Sequence, residues 1–251
     1  MSEEIDLLKR RFIELARRSE QGYFTFTDFL GLAEQSALNE IKGEIRGIAY
    51  SAFGGAEGTE RVMIRFGSPE ELGYEEQFPI VPLMIKPKSE KFADRLTHRD
   101  FLGALMSLGI ERTVLGDIVI RDNVGYLFAK EDIAAYIIDS LTEIKHTAVT
   151  VSIAEKLPEG ELFKTEMRRI QLSGERLDAV LAKTFSLSRE DAQRLFGRGL
   201  VFVNGRETSS VSYAPKVGDR ITARGYGRLI YHGVDSTSKK GKLNVSVEIY
   251  I

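Results

Sequence analysis

Between residues 78 and 153 the apolar residues change their period from two to about 3.6 and back, twice, and this most constrains the fold. Ile80, Val81, Leu83, Met84 and Ile85 predict a strand over 79–85. Thr97-His98-Arg99-Asp100 opens a helix through Phe101, Leu102, Leu105, Met106 and Leu108, which Gly109 stops. Strands follow over 116–120 and 124–129, joined by an Asp122-Asn123 turn. A helix over 132–141 puts Ile133, Tyr136, Ile137 and Leu141 on one face, and 147–153 is a last strand. The order strand-helix-strand-strand-helix-strand predicts the ferredoxin-like arrangement that RNA-recognition domains also use.

The section before it, 1–75, reads as helical or mixed. Ile5, Leu8, Phe12 and Leu15 recur at helical spacing, with Lys9, Arg10, Arg11, Arg17 and Arg18 between them as a solvated face. Thr25-Phe26-Thr27-Asp28 reads as the cap of a second helix through Phe29, Leu32 and Ala33. Phe53-Gly54-Gly55 precedes the alternating run Arg61-Val62-Met63-Ile64-Arg65-Phe66, a turn into a strand. No Gly-Lys-Ser/Thr ending makes the glycines a phosphate loop.

Leu157-Pro158-Glu159-Gly160 reads as a linker closing a domain over 76–157, and a further domain is expected over 164–251. The charge changes there. The whole chain has a net charge of −2, which argues against a nucleic-acid binder. From Leu162 onward, however, 16 Lys and Arg face 9 Asp and Glu, a net of +7, and the preceding residues carry −9. Only the local value bears on a polyanion.

In the basic part, Leu177, Val180 and Leu181 share one helix face. Ser188 with Asp191 three residues on is a capping-box variant opening a second helix that buries Ala192, Leu195 and Phe196. Arg194 and Arg198 fall opposite that stripe, and Arg189 sits in its first turn, where free backbone N–H groups favour an anion. Leu200-Val201-Phe202-Val203 is a strand ending in an Asn204-Gly205 turn before Arg206. Lys216-Val217-Gly218-Asp219 turns into another strand. Arg224-Gly225-Tyr226-Gly227-Arg228 sets two phosphate-clamping guanidinium groups around glycines. Lys239, Lys240 and Lys242 form a basic hairpin tip before a strand over 243–251.

Residues 175–224 resemble an S4-type (αL) RNA-binding domain. The pattern is Arg176-Leu177-Asp178, Ser188-Arg189, Ala192, Gly199-Leu200-Val201-Phe202-Val203-Asn204-Gly205 and Gly218-Asp219. The resemblance implies RNA contacts at Arg176, Ser188, Arg189, Arg194, Arg198, Asn204 and Arg206; Gln193 stands where many members carry a basic residue. Beyond the first helix the chain resembles the YlmH family of bacterial S4-domain proteins, through the run from His98 to Ile110, Gly116-Asp117-Ile118, Phe53-Gly54-Gly55 and the 224–228 run. This implies a cytoplasmic RNA-binding protein, encoded near cell-division genes in Gram-positive bacteria and associated with ribosomal complexes carrying tRNA, as in quality control of stalled large subunits.

The fold class expected is therefore α+β: a helical N-terminal section, a ferredoxin-like, RRM-like βαββαβ middle domain and a C-terminal S4-type domain. The expected function is non-catalytic docking on rRNA or tRNA of the large ribosomal subunit, by a monomer with no cofactor and no metal. Zero Cys excludes thiolate metal sites and cysteine nucleophiles, and His98, His146 and His232 lack ligand spacing. His98-Arg99-Asp100 is not a kinase loop, because Leu105 stands where a metal-binding Asn is needed; it reads as a helix start, with Arg99 a possible second RNA contact. Tyr126 and Phe128 share a strand face on which bases could stack, but 80–85 supplies no partner aromatic, so core packing is expected. The N-terminus is acidic, unlike a signal peptide, and no apolar run reaches the roughly 20 residues of a membrane helix, which also predicts no membrane partner. Two other functions fit an S4 module: an RNA-modifying enzyme of the pseudouridine-synthase type, which the short middle section disfavours, and a protein–protein adaptor in cell division.

Overall fold

In the computed structural model, which describes residues 2–158 and 162–250, the period-two runs are strands and the 3.6-period runs helices. Two compact units form, Met1–Leu162 and Phe163–Ile251. Of the linker segment, Glu159 and Gly160 lie outside the described residues.

The first unit begins with α1 (Ser2–Ser19), β1 (Thr25–Phe26), α2 (Leu32–Glu40), β2 (Tyr50–Phe53), β3 (Met63–Phe66) and the short α3 (Pro69–Leu72). Phe12, Leu15 and Ala16 of α1 and Ala37 and Leu38 of α2 bury against Ile64 and Phe66. Beside the helices this section has an antiparallel sheet, ordered β1-β3-β2, so it is mixed rather than purely helical. Residues 25–28 do not cap a helix. Thr25 and Phe26 pair with Phe66 and Arg65, and the Thr27 hydroxyl accepts from Ile64 N at 2.9 Å, so the neighbouring strand occupies it. α2 starts only after Gly31, whose N–H is taken by the Glu34 carboxylate.

Next come β4 (Ile80–Pro87), α4 (His98–Ser107), β5 (Leu115–Arg121), β6 (Val124–Lys130), α5 (Glu131–Ser140), β7 (Glu143–Ile144) and β8 (Thr147–Ile153). The sheet order β5-β6-β4-β8-β7, all antiparallel, is the ferredoxin-like order with one short extra edge strand. Asp122 and Asn123 both have positive φ, as the tight two-residue hairpin requires. Leu83, Ile85, Leu127 and Val149 pack against Phe101, Leu105 and Ile137 of the two helices. Tyr136 departs from its expected inward position; it is exposed and its hydroxyl donates to Leu108 O at 3.2 Å. Phe128 is fully buried with Phe29 and Met63, so bases cannot stack on it.

A polar seam joins the early strands to this sheet. The half-buried Arg61 guanidinium donates to the carbonyls of Leu115 (2.9 Å), Phe29 (2.9 Å) and Arg112 (3.0 Å). Arg112 donates to Leu115 O and Gly116 O, and burial, then the Arg61 charge, lower its pKa to about 10.

The second unit comprises β9 (Thr165–Leu172), α6 (Leu177–Thr184), α7 (Arg189–Gly197), β10 (Val201–Val203), β11 (Arg206–Glu207), β12 (Arg220–Ala223), β13 (Gly227–Thr237) and β14 (Leu243–Tyr250). The strands form one antiparallel sheet, β11-β10-β12-β13-β14-β9. Leu177, Val180 and Leu181 of α6 and Ala192, Leu195 and Phe196 of α7 bury against its inner face, on Val201, Ile221, Leu229, Tyr231, Val245 and Val247. No described helix is long and apolar enough to cross a membrane.

Candidate nucleic-acid interface

The first turn of α6 places a fully buried carboxylate, Asp178, beneath three donors. Arg176 reaches it with Nε at 3.1 Å and Nη2 at 3.2 Å, Arg189 with Nε at 3.2 Å and Gln193 with Nε2 at 2.8 Å; Ala179 N donates at 2.9 Å. Burial alone would raise the Asp178 pKa, but the hydrogen bonds from Arg176, Gln193 and Arg189 outweigh it and bring the pKa down to about 2. Asp178 thus stays ionised and holds two arginines side by side, their side chains 41% and 59% exposed. Gln193 sits on the same carboxylate, which explains a neutral donor at a position expected to be basic.

These arginines line a cleft of about 690 Å³. Its walls come from the end of β9 and the following loop (Gln171, Ser173, Gly174), from α6 (Ala179, Ala182, Lys183), from the turn into α7 (Ser186, Leu187, Arg189) and from Lys242 at the β13–β14 hairpin. The Tyr231 hydroxyl anchors the loop by donating to Glu175 Oε2 at 2.7 Å. Four cations, Arg176, Lys183, Arg189 and Lys242, meet there, and among the described lining residues there is no carboxylate. The chemistry of such a concavity suits phosphate oxygens, arginines offering forked donors and lysines mobile point charges.

Three expected contact residues, Arg176, Arg189 and Lys242, therefore converge. Lys183 joins them unforeseen, its only sequence signal being one cation in the last turn of a short helix. The other candidates lie elsewhere. The Ser188 hydroxyl caps α7, accepting from Asp191 N at 3.0 Å and donating to Asp191 Oδ2 at 2.6 Å. Arg194 is paired with Glu190 at 2.6 Å and Asp191 at 3.4 Å. Arg198 is exposed at the C-terminal end of α7. Asn204 serves its turn: with φ 49° it donates to Asp219 Oδ1 at 2.8 Å and accepts from Arg220 N at 2.9 Å. Asp219 also accepts from the Tyr213 hydroxyl, whose pKa burial and this carboxylate push up to about 12. Arg206 is exposed on the edge strand. Arg224 and Arg228 lie over the rings of Phe202 and Tyr250, at 4.1 and 4.6 Å. Lys239 and Lys240 are exposed at the hairpin tip. In the other unit, Arg99 is exposed in the first turn of α4, where Asp100 accepts from Thr97 N at 2.8 Å and Lys145 Nζ at 2.9 Å.

Comparison with known proteins bears on these surfaces. Residues 74–157 match the family described as "Putative RNA-binding domain in YlmH", and residues 175–221 match the S4 domain family. The chain is 32% identical over 257 residues to the "Ribosome-associated protein quality control protein P2" of Bacillus subtilis (strain 168), covering 96% of this chain and 95% of that protein. A solved structure titled "Cell division protein ylmH from Streptococcus pneumoniae" is similar at 23% identity with a TM-score of 0.48, covering 60% of this chain and 91% of that one.

Proposed function

This chain belongs to the YlmH family, and on that premise we propose that it binds structured RNA by gripping backbone phosphates in the cleft of its S4 domain. The observation that carries the reading is the convergence of Arg176, Lys183, Arg189 and Lys242 on one concavity. The net of +7 around it supplies the long-range attraction. The RNA is rRNA or tRNA on the large ribosomal subunit, and the setting is quality control of translation in the cytoplasm. The name of the B. subtilis relative and the near-complete shared length support that setting. The protein acts as a monomer, by docking rather than by chemistry.

Lys183 and Lys242 make the cleanest test, because neither bonds to Asp178 and their loss strands no buried charge. For a structured rRNA or tRNA fragment, log K should fall linearly with log salt, and K183Q/K242Q should reduce that slope by about 1.5, since each neutralised phosphate contributes about 0.7–0.9. An unchanged slope would remove the cleft from the interface.

A further inference from the structure

The small sheet β1-β3-β2 has a second face, away from α1 and α2. Ile64 and Phe66 pack with those helices. Side chains alternate along strands, so Arg65 points the other way, with its register partners Phe26 on β1 and Ser51 on β2. Phe53, two residues beyond Ser51, shares that face. There the Arg65 guanidinium lies over two rings, 4.8 Å from the centroid of Phe24 and 5.2 Å from that of Phe78. Its Nη1 donates to Glu76 O at 2.6 Å, and its Nε is buried without a partner. Rings and a carbonyl thus hold this cation. The row of rings continues at both ends: Tyr74 meets Phe24 edge-on at 5.2 Å, and Phe53 meets Phe78 at 5.5 Å. These two end rings are each 42% exposed. Exposed rings gathered in one patch mark an interaction surface.

The local charge decides what suits these rings. The segment that carries Tyr74 also carries Glu70, Glu71, Glu75 and Glu76, all exposed. Among the described residues none of the four carboxylates is in an ion pair. They lie in the part of the chain whose net charge is −9. Such a rim repels phosphates and attracts cations. A cation is also what a ring face takes, as Phe24 and Phe78 take Arg65. Of the two basic side chains, arginine fits better. Its guanidinium is flat and weakly hydrated, stacks on rings, and pairs with a carboxylate in a fork. We propose that this face docks an arginine-rich segment of a partner protein, with guanidinium groups seated on Phe53 and Tyr74 and paired with the carboxylates of 70–76. This goes beyond the RNA cleft, and neither reading depends on the other.

The test uses the full chain and a fluorescein-labelled octapeptide of alternating arginine and glycine, read by anisotropy at low salt. F53L/Y74L removes both end rings. It should weaken the peptide about tenfold and leave affinity for an rRNA or tRNA fragment within about twofold of wild type. E71Q/E75Q/E76Q changes only exposed side chains, so folding is not at issue. It should weaken the peptide about fivefold and flatten its salt dependence. An octapeptide of alternating lysine and glycine should bind about threefold more weakly than the arginine one. Peptide binding that survives both variants overturns the proposal. So does loss in the glutamine variant without loss in the leucine variant, because charge alone would then account for binding. Loss of RNA affinity in F53L/Y74L with the peptide unaffected assigns the face to RNA and overturns the proposal as well. Failure of the cleft reading shows separately, as an RNA salt slope unchanged by K183Q/K242Q.

Discussion

Asp178 is a carboxylate with no exposed surface whose folded pKa lies near 2 against an ordinary 3.8. A lowered folded pKa means its contribution is fully present above the ordinary value and is lost as pH falls from about 4 through about 2. The shift corresponds to about 2 kcal/mol. D178N should therefore lose about 2 kcal/mol of stability in urea at neutral pH, and the wild-type advantage over it should vanish by about pH 2. Because Asp178 also aligns Arg176 and Arg189, the same variant should weaken RNA binding about fivefold, at protein concentrations where it is still folded. Of its partners, Arg176 is two residues away and legible from sequence as a neighbour; Arg189 and Gln193 are 11 and 15 residues away and arrive only because α7 packs beside α6. From the sequence alone, therefore, the two arginines read as independent contacts and Asp178 only as part of a motif.

At the level of elements, local chemistry was readable wherever a short-range bond decided it. Ser188 with Asp191 predicts the α7 cap, and the cap forms; S188A should cost about 1 kcal/mol in urea unfolding, while S188D, which keeps an acceptor at the cap, should retain most of it. Asn204-Gly205 and Asp122-Asn123 predict two-residue hairpins, and all four residues have positive φ. Elements held by distant partners carry no such local signal. β9 carries Glu166, Arg168 and Arg169 among its apolar residues and is a strand because β14 pairs with it along its whole length. β1 exists because β3 pairs with it. Close approach is equally invisible locally: a Cβ at Gly125 would enter the ring of Phe101 on α4. G125A should cost about 2 kcal/mol, and F101L in the same chain should recover part of it, both measured by chemical denaturation.

For the whole molecule, the net charge of −2 is an average over opposite parts, −9 before Leu162 and +7 from there on. A binder governed by the total would show little salt dependence. One governed by the basic part should lose at least about tenfold in RNA affinity between 50 and 200 mM salt, if about three or more phosphates are neutralised; titrations at the two salt concentrations distinguish these cases. The ferredoxin-like sheet should add no base stacking at Phe128, because that ring is sealed under Phe29 and Met63 of the same unit. F128L should accordingly lower stability and leave RNA affinity per folded molecule unchanged.

The sequence by itself determined the order of elements in the middle domain, the two-helix S4 pattern, the hairpin turns, the α7 cap and the segregation of charge. Each of these follows from hydrophobic period, from turn chemistry or from bonds spanning a few residues. Tertiary structure alone decided which cations share a cleft, that Lys183 is one of them, that the Asn204 side chain bonds Asp219 and Arg220 N across the sheet, and that Phe202 and Tyr250 face away from the core beneath two arginines. These depend on strand register and helix packing between segments up to about 70 residues apart, and no local pattern encodes the direction in which a surface arginine will turn.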